Sequence, residues 1–156
     1  MKLNNKQKSI LKKLNNSFIF KLFSITKLPL AIITGLKIQE INNSFCKTTV
    51  HYKYLNKNPF GSTYFAVQSM AAELSTGALS LIAVEGLRSD VSFILTGMRG
   101  EFLKKSNGKI EFVCKEGEKL HEIVKKIREE NGQQKEKTVS TIGYDSDGEI
   151  VSKFEF

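Results

Sequence analysis

The stretch Asn58–Glu73, NPFGSTYFAVQSMAAE, decides the fold. Pro59 and Gly61 break the strand-like segment that precedes it, and Ser62 or Thr63 is placed to cap a following helix. Along that helix Phe65, Met70 and Leu74 sit among Ala66, Ser69, Ala71, Ala72, Gly77 and Ala78. Such small residues let neighbours approach on nearly all sides, as a sheet wrapped around a helix requires. Glu73 is the one charge between Lys57 and Glu85. An unpaired buried carboxylate costs several kcal/mol, so Glu73 must be solvated at a cleft or paired, with Arg88 or Arg99 as candidate cations.

Working outward, Leu36–Ile41 and Cys46–Leu55 read as a strand hairpin around an Asn42-Asn43-Ser44 turn, the second strand alternating through Val50, Tyr52 and Tyr54. After the apolar helix, Ser89–Lys104 is long and β-like, and Ser106-Asn107-Gly108 turns into a strand over Lys109–Lys115. Within Glu118–Glu130, Leu120, Ile123, Val124 and Ile127 follow the i, i+3, i+4, i+7 spacing of an amphipathic helix, with Asn131-Gly132 as its stop. The chain closes with a hairpin, Lys137–Tyr144 and Glu149–Phe156, around Asp145–Gly148. One antiparallel sheet wrapped round one apolar helix accounts for this order, which is an α+β fold. Asp145-x-Asp147-Gly148 lacks the twelve-residue loop of a calcium site and reads as a solvated turn.

A chain of 156 residues suffices for one domain with a sizeable core. Its net charge of +8 suggests nucleic acid until the charge is located. Residues 1–39 hold eight lysines and no acid, whereas residues 40–156 hold sixteen basic and sixteen acidic residues, so the globular part is neutral and no nucleic acid is expected. Residues 1–27 form a basic arm with Ile10, Leu14, Phe18 and Leu22 at four-residue spacing, which predicts one amphipathic helix. That stripe is expected to dock on the domain, with weak contact to a membrane surface as the alternative. Lys21 and Lys27 interrupt the apolar run, against a signal peptide, and no uncharged run of 18 residues exists to cross a membrane. Cys46 and Cys114 lie in strand-like segments and read as reduced core thiols of a cytoplasmic protein.

Asn58, Gly61 and Glu73 resemble the N-x-x-G-T-x-H-G-G…D/E signature of hotdog-fold thioesterases, in which an acid follows the glycine of the turn by twelve residues, as Glu73 follows Gly61. The wider run through Leu28-Pro29, Gly35, Tyr54, Asn58–Gly61 and Met70–Leu74 resembles the bacterial DUF4442 branch of that superfamily, over residues 28–156. Tyr64, Phe65 and Ala66 stand where the signature has His-Gly-Gly. The resemblance implies a hotdog domain over 28–156, a homodimer or tetramer with sites shared between subunits, and a thioester of coenzyme A or of an acyl carrier protein as substrate, without a cofactor or metal.

Thioester hydrolysis needs a base for water, or a carboxylate nucleophile, and donors for the carbonyl oxygen as it gains charge. Glu73 is the expected base or nucleophile and Asn58 the side chain that orients water or carbonyl. The first N–H groups of the helix, at Tyr64, Phe65 and Ala66, are the expected oxyanion donors. Gly61, Ser62, Lys57, Arg99 and Lys104, with Lys53 and Lys105, are candidates for holding the carrier and its phosphates. His51 and His121 read as an alternating strand position and an exposed helix position without a catalytic partner. The alternative reading is an acyl-group binding protein of the same fold that lost the chemistry with its histidine. A dehydratase fits less well, because it needs a histidine near the central helix.

Overall fold

The computed structural model describes residues 3–85, 87, 91–130 and 134–156. Three helices come first: α1 (Asn5–Asn15), α2 (Ser17–Lys27) and α3 (Pro29–Thr34). A hairpin of β1 (Lys37–Ile41) and β2 (Cys46–His51) leads through a short 3-10 turn, Tyr54–Asn56, to the long helix α4 (Phe65–Val84). Then follow β3 (Arg99–Phe102), β4 (Lys109–Cys114), α5 (Gly117–Glu129), β5 (Ser140–Tyr144) and β6 (Ile150–Glu155). The strands form one antiparallel sheet in the order β1-β2-β4-β5-β6-β3, with α4 against its inner face.

The arm is not one helix. Asn16 interrupts the Ile10–Leu22 stripe: its side chain accepts from the N–H groups of Phe18 and Ile19 and starts α2 as a separate segment. A capping box of Asn4 and Gln7 starts α1, and Gln7 Nε2 also donates to the Ala83 carbonyl, 3.2 Å away. Leu14 is buried, so α1 docks on the domain as expected. In α2, Phe20 and Ser24 are buried, whereas Phe18 and Leu22 project outward.

Three buried side-chain hydrogen bonds fix α4 to the sheet. Thr48 Oγ1 donates to the Ala71 carbonyl at 2.6 Å, Ser75 Oγ bonds Thr141 Oγ1 at 2.8 Å, and Ser152 Oγ donates to Gln68 Oε1 at 3.0 Å. They satisfy polar groups that would otherwise cost free energy among the surrounding aliphatic residues, and so fix the rotation of the helix. Its length and hydropathy would suffice to cross a membrane, but most of it is buried inside this domain, which makes it a core helix. The cysteines are free and buried, and face each other across β2 and β4.

Three predicted strands are shorter than expected, one of them β5, which begins at Ser140 rather than Lys137. β2 stops at His51, because Tyr52 N–H donates to Gly108 and the side chain of buried Asn56 donates to the carbonyls of His51 and Thr34, folding the chain into the 3-10 turn. Of Ser89–Lys104, Arg99–Phe102 forms a strand, Val91–Met98 does not, and Ser89 and Asp90 lie outside the described residues. The inserted helix forms as read, with Leu120 and Val124 buried; its predicted stop, Asn131-Gly132, also lies outside them. His121 is a correction: it is buried, and desolvation pushes its pKa down.

Candidate active site

The turn before α4 is built by one side chain. Asn58 Oδ1 accepts from the N–H groups of Phe60 at 3.0 Å and Ser62 at 3.1 Å, while its Nδ2 donates to Ser62 Oγ at 2.9 Å. Gly61 takes the left-handed conformation, φ 71°, that this tight loop demands. The carboxamide expected to orient water or carbonyl is therefore engaged in holding the loop.

Neither Ser62 nor Thr63 caps the helix. Tyr64 occupies the N-cap position and offers no side-chain bond, because Thr63 is drawn into a bridge with Lys57 and donates its N–H to Ser106. The Tyr64 N–H, expected as an oxyanion donor, is given to the Asn56 carbonyl at 2.7 Å. At the exposed residue Phe65 and half-buried Ala66, the N–H groups have no acceptor among the described residues, as the first turn of a helix leaves them. Sequence reasoning missed the polar residues near them: Asn56 Oδ1, Thr63 Oγ1 and Ser106 Oγ are all buried without a hydrogen-bond partner among the described residues. The signal available was a run of polar residues beside the glycine turn.

Glu73 lies two turns further along α4, on the face that also carries Thr76, Gly77 and Ser80. That face walls a cavity of about 480 Å³ that is partly open to solvent and bounded elsewhere by the apolar stripe of α5, by residues 91–96 and by residues 134–137. No cation or donor reaches the Glu73 carboxylate among the described residues: Arg99 pairs with Glu101 at 3.1 Å, and Arg88 lies outside them. Part of the side chain remains open to solvent, yet the protein around the carboxyl is enough to raise its pKa above the ordinary 4.5 by desolvation.

From Phe65 to Glu73 is eight residues, or about 12 Å along a helix at about 1.5 Å each. One carbonyl cannot touch both the Phe65 N–H and the Glu73 carboxylate of the same helix. The structure thus brings Asn58, Gly61, Ser62 and the α4 N-terminus together, and keeps Glu73 apart from them within one chain.

The basic candidates divide in the same way. Lys104 is held by Asp145 at 2.7 Å and by Glu149, and Arg99 by Glu101, so both are engaged within the sheet's own loops and strands. Lys53 Nζ donates to the Ile33 carbonyl at 2.8 Å. Lys57 lies over the Tyr54 ring at 4.4 Å, and Lys105 Nζ reaches the outer side of Gly61. His51 ends β2 at the surface, away from any carboxylate contact among the described residues.

A family model described as a domain of unknown function, DUF4442, matches residues 17–156. No match is found among curated proteins. Among solved structures, the chain is similar to PA5026 from Pseudomonas aeruginosa, described as a protein of unknown function and probable thioesterase. The TM-score is 0.71 at 18% identity, covering 98% of this chain and 93% of that one. It is also similar to PaaI of E. coli, from the phenylacetic acid degradation operon, with TM-score 0.62 at 11% identity and coverage of 94% and 91%. The thioesterase HI1161 from Haemophilus influenzae gives TM-score 0.59 at 11% identity, covering 86% and 83%. At such identities the likeness establishes the fold: a six-stranded antiparallel sheet around one long helix, the hotdog arrangement.

Proposed function

Because this chain belongs to the DUF4442 family and folds as a thioesterase-like hotdog domain, we propose that it hydrolyses acyl thioesters of coenzyme A or of an acyl carrier protein. One observation carries the reading: a partly desolvated carboxylate, Glu73, unpaired among the described residues, on the wall of a cavity that joins an apolar stripe of Val91, Leu120 and Val124 to polar and charged residues such as Thr76, Ser80, Lys135 and Lys137. The apolar stripe can hold an acyl chain, with the Glu73 carboxylate on the same wall to meet its thioester.

In the reaction, Glu73 accepts a proton from water as the water oxygen attacks the thioester carbon. The carbonyl oxygen becomes an oxyanion, held by helix N–H groups at Phe65 and Ala66. Collapse breaks the C–S bond, the thiolate leaves and takes up the proton, and a carboxylic acid remains. Since these donors and Glu73 are about 12 Å apart on one helix, they must come from two copies of the chain. A homodimer is therefore part of the proposal. The exposed edge strand β3, with exposed Met98, Phe102 and Leu103 at its ends, supplies an edge and an apolar flank for it. Asn58, Gly61 and Ser62 shape the donor loop, and Lys57 and Lys105 lie beside it for the carrier's phosphates. Two reduced, buried thiols fit a cytoplasmic setting.

A second reading, acyl binding without turnover, is favoured by one fact: the Asn58 carboxamide is engaged in its own loop. The test is release of free thiol from a panel of acyl-CoAs of increasing chain length. Hydrolysis of at least one supports the thioesterase reading, whereas saturable binding of acyl-CoA without thiol release supports the second.

A further inference from the structure

The interrupted arm leaves a surface that the fold does not cover. On α2, Phe18 is 73% exposed, Leu22 59% and Ile25 60%; on α3, Leu30 is 58% and Ile33 51% exposed. Phe18, Leu22 and Ile25 follow i, i+4, i+7, so they share one helical face, opposite the buried pair Phe20 and Ser24. Lys21 flanks that face, Lys27 ends the same helix, and α1 adds exposed Lys6, Lys8, Lys12 and Lys13. The bond from Lys53 Nζ to the Ile33 carbonyl joins the platform to the 3-10 turn, where Tyr54 and Leu55 also project outward.

We propose that α2 and α3 dock this protein on an anionic lipid bilayer, with Phe18, Leu22, Ile25, Leu30 and Ile33 entering the interface and the lysines meeting headgroup phosphates. Charge decides between occupants. A twofold contact of this face with itself would set lysine against lysine, because residues 1–39 contain eight lysines and no acid. An anionic membrane surface supplies the opposite charge along with an apolar layer for the side chains.

The experiment is flotation of the full chain with vesicles of phosphatidylcholine alone or mixed with phosphatidylglycerol. The expected result is binding to the mixed vesicles, weakened by salt. F18S/L22S/I25S is expected to lower that binding more than tenfold, with melting temperature and sedimentation unchanged, since none of the three side chains is buried. K21E/K27E should lower binding to the anionic vesicles without touching the apolar face. The proposal is overturned if the wild-type chain does not float with anionic vesicles, or if neither variant alters flotation. It is equally overturned if the serine variant dissociates the oligomer, because a second copy would then cover the face. None of these outcomes depends on thioesterase activity.

Discussion

The Glu73 carboxylate folds back over Gly77, one turn further along α4. A Cβ placed on Gly77 would stand 2.6 Å from Glu73 Oε1, which is closer than atoms can approach. The absence of a side chain at 77 thus sets where the carboxylate rests. The atom in the way is the far end of a flexible side chain, so Gly77→Ala displaces Glu73 without disturbing the backbone. Replacing a mid-helix glycine by alanine also adds about 0.5–1 kcal/mol of stability. We expect Gly77→Ala to melt at the same or a higher temperature and to lose thioester hydrolysis at least tenfold in a thiol-release assay. A variant with full turnover would show that the resting place of Glu73 is irrelevant to the reaction.

Glu73→Gln keeps the shape of the side chain and removes its basicity. Hydrolysis should fall about 100-fold or more. His51→Ala should leave the rate nearly unchanged; His121→Ala, although buried, should lower the melting temperature and leave the rate per folded molecule alone.

The pH dependence follows from the raised pKa of Glu73. A base must be deprotonated, so kcat/KM should fall with acid along a limb centred above 4.5, and Glu73→Gln should abolish that limb. The sign for stability is opposite. A folded-state pKa above the unfolded value means that the folded chain holds the proton more tightly, so Glu73 stabilises most below its unfolded pKa. That contribution is lost as pH rises through its folded pKa. Thermal melts should accordingly show Glu73→Gln as stable as wild type or more so at neutral pH, with the gap changing across the acidic range.

Subunit mixing addresses the shared site directly. Asn58→Ala removes the acceptor for two loop N–H groups, and should cost about 1–2 kcal/mol of stability and impair turnover less than Glu73→Gln. If donors and carboxylate come from opposite copies, unfolding Glu73→Gln and Asn58→Ala together and refolding them yields heterodimers in which one of two sites is intact. Activity should reach about a quarter of the wild-type rate plus a quarter of the Asn58→Ala rate, as random pairing in a twofold dimer dictates. Activity equal to the mean of the two separate variants, or a stable monomer in sedimentation, would place the whole site within one chain.

Gly117→Ala provides a contrast with Gly77→Ala. Here the added Cβ would lie 2.3 Å from the Asn43 carbonyl oxygen and 2.9 Å from Ser44 Cα, both backbone atoms of the β1–β2 turn. The turn or α5 must shift, so a loss of at least about 2 kcal/mol is expected in urea denaturation.

The central helix, the antiparallel pairs and the inserted helix were legible because each rests on local signals. Apolar residues at helical spacing, Asn-rich and Gly-containing turns and alternating segments appear in the chain without knowledge of its neighbours. The break at Asn16 was written there too, as a capping residue, but the apolar spacing on either side of it read as one stripe. The early end of β2 was not legible, since it depends on Asn56 finding the carbonyls of His51 and Thr34 after the chain has folded.

By itself, then, the amino-acid sequence determined an apolar helix interrupted by one carboxylate at Glu73, a glycine turn before it, and strands to wrap it, because periodicity and turn chemistry are local properties. What the tertiary structure decided is which of those groups remain available. It directed the Tyr64 N–H to Asn56 and the Asn58 carboxamide to its own loop, paired Arg99 with Glu101, and left Glu73 on a cavity wall without a partner among the described residues. Partners distant in sequence become neighbours once the sheet closes, so their competition for each hydrogen bond is settled by packing, which no local pattern records.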